Sequence, residues 1–289
     1  MHTIANMNIV VRQARMEDKN DVMSFISKIW GGSDYIPFVW DKWLEDSSGK
    51  IHVIEADGKV VGMNRIKFLR DNCCWLQGAR IHPQYRGRGL ATILGMHVIK
   101  WAEGLGYSKF RLSCAVNNFP AIKQVKKMGF TEISRMSVYS YTGKGKVSRI
   151  KPKAEDNLSY VLTKVKQSRE YKLSSGVLWD SFVALTINEE IVSEFTRAES
   201  AFVYEDSVCL LKKGMEEERD VIQACFFGYG RYGAEELYNL ILQMNEKKKI
   251  FYLPEKSKMI PILRKEGAKR ENSFILFEKN SRAEPMAKG

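Results

Sequence analysis

The chain has little with which to build a covalent or metal-held framework. Its five cysteines (Cys73, Cys74, Cys114, Cys209 and Cys225) are odd in number and never spaced as Cys-x-x-Cys. That argues against a disulfide scaffold or a zinc site and suits a reducing compartment, so a cytoplasmic protein without a bound metal is expected. No apolar run approaches the roughly 18 residues of a membrane span, and no membrane partner is expected. The N-terminal residues lack a charged leader ahead of an apolar core, so no secretory signal is read there. Low-complexity tracts and short-period repeats are absent from the sequence.

What is present is a chain of 289 residues, longer than the usual single domain, which predicts two domains. Hydrophobic residues at 44% and aromatics at 11% suffice to build packed cores. The net charge of +12 invites a polyanion, either nucleic acid or a cofactor's phosphates. Yet the lysines are dispersed and many stand beside acids, as between Lys212 and Asp220. A solvated basic surface is the better reading, and nucleic acid is not an expected partner.

In the first half, short apolar strands alternate with helical periodicity. Strands are predicted over Ile9–Ala14, Ile51–Ala56, Lys59–Phe68, Cys73–Ile81, Phe110–Val116 and Thr131–Tyr141. Helices are predicted over Met16–Ile29, Val39–Leu44, Leu90–Leu105 and Pro120–Met128. Asp57-Gly58 is a strong hairpin signal between two of the strands. The order implies a mixed α/β sheet flanked by helices. Residues 142–157 lack apolar periodicity and read as a linker. Beyond it, strands are predicted over Ala201–Leu211, Val221–Phe227, Ile250–Leu253 and Ser273–Phe277, with helices over Ala234–Asn245 and Lys258–Glu266. That order echoes the back end of the first half.

The segment Ala79-Arg80-Ile81-His82-Pro83-Gln84-Tyr85-Arg86-Gly87-Arg88-Gly89-Leu90-Ala91 carries the chemistry. A strand ends at a proline, a glycine-rich turn follows, and a long helix begins at once. Such a turn gathers backbone N–H groups around a helix N-terminus, where the unsatisfied donors and the helix dipole favour a phosphate. Gly87 and Gly89 allow close approach of the main chain, and Arg86 and Arg88 add charge that a pyrophosphate can use. Neither a P-loop nor a dinucleotide fingerprint fits, since no Gly-x-x-x-x-Gly-Lys-Ser/Thr follows a strand and position 92 is threonine.

This stretch resembles motif A of the GNAT acetyltransferase superfamily, Gln/Arg-x-x-Gly-x-Gly/Ala, met by Arg86, Gly89 and Ala91; Gln84, Gly87 and Gly89 meet it in a second register. Downstream, Asn118-Phe119-Pro120-Ala121 and then Gly129-Phe130 are similar to the family's Asn-x-x-Ala and Gly-Phe pair. A narrower likeness, to the histidine N-acetyltransferase-like group, lies in Trp30-Gly31-Gly32-Ser33-Asp34-Tyr35-Ile36-Pro37, Trp43-Leu44 and Gly78-Ala79-Arg80-Ile81-His82-Pro83. The resemblance implies a GNAT domain over residues 1–142, a linker over 143–158 and a second, degenerate GNAT-like α/β domain over 159–289. It implies acetyl-CoA as acyl donor, with Ala79, Arg80, Ile81, Arg86, Gly87, Arg88, Gly89, Leu90, Ala91 and Asn118 as cofactor-binding residues. Asp34 and Tyr35 are the expected substrate residues, and a small-molecule amine is the expected partner; a homodimer stays open.

Two departures bear on mechanism. The family's tyrosine acid, four residues before the Gly of Gly-Phe, is Val125 here, and the Glu ahead of Gly-x-Arg is Gln77, which cannot act as a base. Asp34, Tyr35, Glu55 and His82 are the candidates for the base, and the catalytic residues are left unassigned. A protein N-terminus or lysine as acceptor, and a non-enzymatic binding module, are the alternative readings.

Overall fold

The computed structural model describes residues 7–143, 153–213, 220–228 and 231–281. The chain packs as two compact units, the first of Met1–Ser113, Asn118–Thr131 and Phe277–Gly289, the second of Cys114–Asn117 and Glu132–Leu276.

In the first unit, β1 (Ile9–Gln13), α1 (Lys19–Ile26) and α2 (Ile36–Glu45) precede β2 (Gly49–Ala56), β3 (Lys59–Phe68) and β4 (Cys74–Ile81). The long α3 (Leu90–Glu103), β5 (Lys109–Ala115) and α4 (Phe119–Lys127) follow. Strands β1 to β4 pair antiparallel in chain order, whereas β4 and β5 run parallel across α3. Alternation along β2 and β3 divides the sheet's two faces. Ile51, Val53 and Met63 pack with Val22, Phe25, Ile26, Ile36 and Trp40 of α1 and α2 in one core cluster. His52, on the other face, meets His97 and Trp101 of α3. α3 itself buries Leu90, Leu94, Val98, Ile99 and Ala102, the three-and-four spacing of a helix laid on a sheet. Arg111 of β5 is buried between Asp71, at 3.0 Å, and Glu278, at 2.8 Å, which ties the end of the strand that carries Glu278 into this unit.

The second unit runs β6 (Thr131–Thr142), α5 (Leu158–Gln167), α6 (Arg169–Leu173), β7 (Val177–Asp180), β8 (Val183–Thr186) and α7 (Glu189–Arg197). It continues with β9 (Ala201–Tyr204), β10 (Ser207–Lys213), β11 (Val221–Phe227), α8 (Arg231–Leu242), β12 (Lys248–Pro254), α9 (Met259–Lys265) and β13 (Lys269–Asn280). Within it the strand order is β13-β6-β12-β11-β10-β9. β11 and β12 are parallel across α8, and the core is built from Phe226, Leu237, Tyr238, Ile241, Phe251, Leu253 and Leu263. The hairpin β9–β10 corrects the single strand expected over Ala201–Leu211: Tyr204 pairs with Ser207 across a turn at Glu205-Asp206, where Glu205 takes φ 52°. The turn has no glycine, asparagine or proline, only the weaker signal of Asp206 and Ser207, and the apolar flanks read as continuous. The helix expected over Met16–Ile29 opens as a short 3₁₀ turn at Met16–Asp18 and ends at Ile26. Most of the expected linker lies outside the described residues. Among the described residues no helix is long and apolar enough to cross a membrane, and no group of three or more His, Cys, Asp or Glu is placed to hold a metal ion.

Candidate active site

The geometry of the site begins with β4. Its pairing with β5 is confined to Cys74–Phe110 and Trp75–Arg111, so from Leu76 to Ile81 the strand runs on without that neighbour. On its other side the ladder with β3 shifts: Met63 faces Arg80 while Arg65 faces Gln77, two steps on β3 against three on β4. The extra residue is accommodated at Gly78, whose φ is +67° and where a Cβ would come within 2.9 Å of Trp43 Cζ3. A bulge of this kind bends a strand and re-aims it, and here it leads β4 away from β5, with Ala79 exposed and Ile81 half-buried.

β4 stops at Ile81 because His82 and Pro83 turn the chain. The His82 Nδ1 accepts from the Gln84 amide at 3.2 Å, and Pro83–Tyr85 forms one 3₁₀ turn. Arg86 folds back so that its Nε donates to the Ile81 carbonyl at 3.2 Å. Gly87 at φ +77° and Gly89 at φ +80° then carry the chain through left-handed conformations into α3, with Gly89 as its N-cap. No atom lies within 4 Å of where a Gly87 side chain would begin. The first amides of α3 have no partner inside the helix, Arg86 is exposed, and the Arg88 guanidinium lies 5.3 Å over the Tyr85 ring. Leu90 is buried in the core, so its amide and not its side chain is what it offers, and Ala91 is half-buried beside it. This turn suits a pyrophosphate: backbone donors, a helix N-terminus and cations converge on open space. Asn118 stands at the head of α4, its Oδ1 accepting from the Ala121 amide at 3.4 Å. Val125 is buried in the core, so no phenol occupies the family's acid position.

Arg80 departs from the pyrophosphate turn. Its guanidinium binds Asp34 through Nε at 2.6 Å and Nη2 at 3.2 Å, donates from Nη1 to the Ala79 carbonyl at 3.0 Å, and lies 5.5 Å over the Tyr35 ring. The Asp34 carboxylate is fully buried and also accepts the Ile36 amide at 3.1 Å. Tyr35 meets Trp43 edge to face at 5.8 Å, and the buried Arg65 guanidinium lies 4.7 Å over Trp43 while pairing with Asp46. The result is a wall of two aromatic rings braced by two guanidiniums, on the α2 side of the β4 bulge. Trp43 and Arg65 are the members whose placement sequence reasoning misses. Trp43 stands in a quoted motif without a role, and Arg65, mid-strand between Asn64 and Ile66, gives no signal at all.

The candidates for a base are mostly engaged. Asp34 is held by Arg80, and Glu55 accepts from the Nε of Arg12 at 2.7 Å. Burial, with Lys28 and Arg86 nearby, holds the His82 imidazole below its usual range. Burial raises the Tyr35 phenol, with Arg80 pulling the other way.

The acetyltransferase (GNAT) family profile matches residues 15–130, which contain the bulge, the turn and the head of α4. Over 82 residues the chain is 33% identical to a histidine N-acetyltransferase of Oreochromis niloticus, covering 28% of this chain and 24% of that protein. It is 30% identical over 142 residues to an uncharacterised N-acetyltransferase of Methanocaldococcus jannaschii, covering 42% of this chain and 60% of the relative. The aligned part thus spans about a quarter of the histidine enzyme and well over half of the archaeal one. In three dimensions, a GCN5-related N-acetyltransferase of Sphaerobacter thermophilus superposes with a TM-score of 0.61 at 12% identity, covering 94% of this chain and 95% of the other, a likeness of fold alone. The segment that carries the divergent β4 and its glycine turn, residues 15–130, is thus the part of the chain that matches the acetyltransferase (GNAT) family.

Proposed function

We propose that the chain transfers an acetyl group from acetyl-CoA to the primary amine of a small, amino-acid-like molecule. The observation that carries this reading is the departure of β4 from β5 beyond Trp75, immediately before the glycine turn at the head of α3. The turn from Arg86 to Ala91 holds the pyrophosphate through backbone N–H groups and the Arg86 and Arg88 cations. The unaccompanied edge of β4 from Ala79 to Ile81 offers backbone groups along which an extended arm can lie. Acetyl-CoA supplies a thioester that a neutral amine attacks directly. Asn118, while capping α4, keeps its amide nitrogen for the cofactor.

The protein's own contribution on the acceptor side is shape and charge. Tyr35 and Trp43 form an apolar wall, and Arg80 makes it cationic, an environment that favours an acceptor bearing a carboxylate. The histidine N-acetyltransferase relatives support the same substrate class. Asp34 acts here through Arg80 and Tyr35, fixing the loop before α2, without touching the substrate. As the amide bond forms, the C–S bond breaks and coenzyme A leaves as its thiolate, which takes up a proton from water. Asp34 and Glu55 are both bound to arginines, so the amine's proton passes to water or to one of the remaining candidates, His82 and Tyr35. The test is acetyl-CoA turnover across free amino acids, decarboxylated amines and short peptides. Turnover highest on amino acids with a free carboxylate is expected; acetylation of peptides or folded proteins alone would overturn the small-acceptor reading.

A further inference from the structure

The second unit repeats the element order that frames the proposed cofactor site: a strand, a helix, a parallel strand, a second helix and a last strand, here β11, α8, β12, α9 and β13. The repeat differs at two points. β11 and β12 stay paired from Val221–Lys248 to Cys225–Tyr252, five successive pairs that nearly exhaust β11, against the two pairs of β4 with β5. And the turn leaving β11 is already liganded from within. The carboxylate of Glu170, on α6, is fully buried and accepts the Gly228 amide through Oε2 at 3.0 Å. Its Oε1 accepts the Ser257 hydroxyl at 3.1 Å, and the Ser257 oxygen in turn accepts the Met259 amide at 3.2 Å, two residues on, where α9 begins.

These contacts place one carboxylate between the chain end of β11 and the segment that opens α9. Gly228 stands directly after β11, as His82 stands directly after β4, and Ser257 lies between β12 and α9, as Asn118 lies between β5 and α4. A buried carboxylate needs donors to offset its lost hydration, and the heads of such turns supply them. A cavity of about 210 Å³ borders Gly228 and is lined also by Lys164, Gln167, Ser168, Arg169 and Asp206, so two cations stand beside the same turn. Lys164 is drawn to Asp206 at 3.3 Å.

We propose that Glu170 is an internal ligand: its carboxylate bridges the segments that leave β11 and β12 and holds those ends closed, where β4 and β5 part in the first unit, so that the chain binds one coenzyme A, in the first unit only. The stoichiometry rests on the function proposed above; the role of Glu170 in the second unit does not.

Thermal unfolding of full-length Glu170→Ala tests the carboxylate directly. The variant is expected to melt several degrees below the parent and to regain at least half of that loss in sodium formate, but not in sodium chloride of equal ionic strength. The parent should respond alike to both salts. Equal effects of formate on parent and variant, or none on the variant, would overturn the proposal. If Glu170→Ala does not fold, hydrogen exchange at the Gly228 amide in Glu170→Met, a side chain of similar length without an acceptor oxygen, decides the matter: faster exchange than in the parent is expected, and unchanged protection overturns it. Calorimetric titration of the parent with coenzyme A should saturate at one per chain. Two per chain overturns the internal-ligand reading, whereas none overturns the proposed function and leaves the formate result to judge Glu170.

Discussion

Asp34 has no exposed side-chain surface and three hydrogen bonds, two of them from one guanidinium. Removing one member of such a pair leaves the other charge uncompensated, which for buried pairs costs about 3–5 kcal/mol. Asp34→Ala should therefore lower stability by about 3 kcal/mol, the low end of that range, because Arg80 keeps some contact with solvent. Asp34→Asn should cost less, since an amide oxygen still accepts from Ile36. Chemical denaturation of both, with Asp34→Ala/Arg80→Ala as the coupled variant, checks this; strict additivity of the two single changes would mean the pair is not coupled. Gly89 is the second residue-scale case. A valine at φ +80° sets a β-branched side chain in left-handed space, a strain of about 1–2 kcal/mol, and puts methyl groups where the cofactor's phosphates are proposed to sit. Gly89→Val should stay folded and lose coenzyme A binding by calorimetry. Unchanged affinity in a folded variant would place the phosphates elsewhere.

At the scale of elements, β4 decides the site. Two features act on it together: the bulge at Gly78 and the early end of pairing with β5. A Cβ at Gly78 would press on Trp43 at 2.9 Å and force an L-residue to φ +67°. Gly78→Ala is expected to cost about 1–3 kcal/mol through strain and overpacking. It should also lower kcat/KM more than an equally destabilising substitution in α3, such as Val98→Ala. Parallel melting curves and steady-state kinetics make the comparison, and a Gly78→Ala enzyme with unaltered Tm would show that the bulge tolerates a side chain. In the second unit the strand at the same place in the element order, β11, carries no such shift against β10, where Val208–Phe227 to Lys213–Ile222 pair in unbroken register. Straight pairing on both sides leaves β11 no free edge for a ligand to follow.

At the scale of the molecule, one buried group links folding to acidity. His52 lies under α3 against Trp101 and His97, and neither of its ring nitrogens has a hydrogen-bond partner among the described residues. Burial, with His97 adding to it, pushes its pKa down to about 4. The unfolded imidazole titrates near its ordinary value of 6.5, so between about 6.5 and about 4 the unfolded chain holds the extra proton. Stability is therefore complete above about pH 6.5, falls as the pH drops toward about 4, and then levels with respect to this group. The gap between those two values corresponds to a loss on the order of 3 kcal/mol. Denaturant midpoints measured across that window should show the fall in the parent and a shallower one in His52→Phe. A parallel decline in the two proteins would assign the acid sensitivity to other groups.

The division between what is written in the sequence and what the tertiary structure adds follows the range of the interactions. The glycine turn, the Asp57-Gly58 hairpin, the Asn118 cap and the apolar faces of α1, α3 and α4 arise from residues a few positions apart. Their signal survives in the sequence because backbone conformation and periodicity are local properties. The same holds for the order of strands and helices that identified an α/β fold. Other features have no local signature. Arg80 and Asp34 meet across 46 positions, Glu170 and Ser257 across 87, and Arg111 and Glu278 across 167. Asp34 therefore reads in sequence as a substrate residue and stands in the structure as the support of an arginine. The divergence of β4 from β5 has the same origin. Which strand lies beside which, and where the pairing ends, depends on partners brought from elsewhere in the chain, and only packing around Trp43 selects Gly78 as the place where β4 turns away.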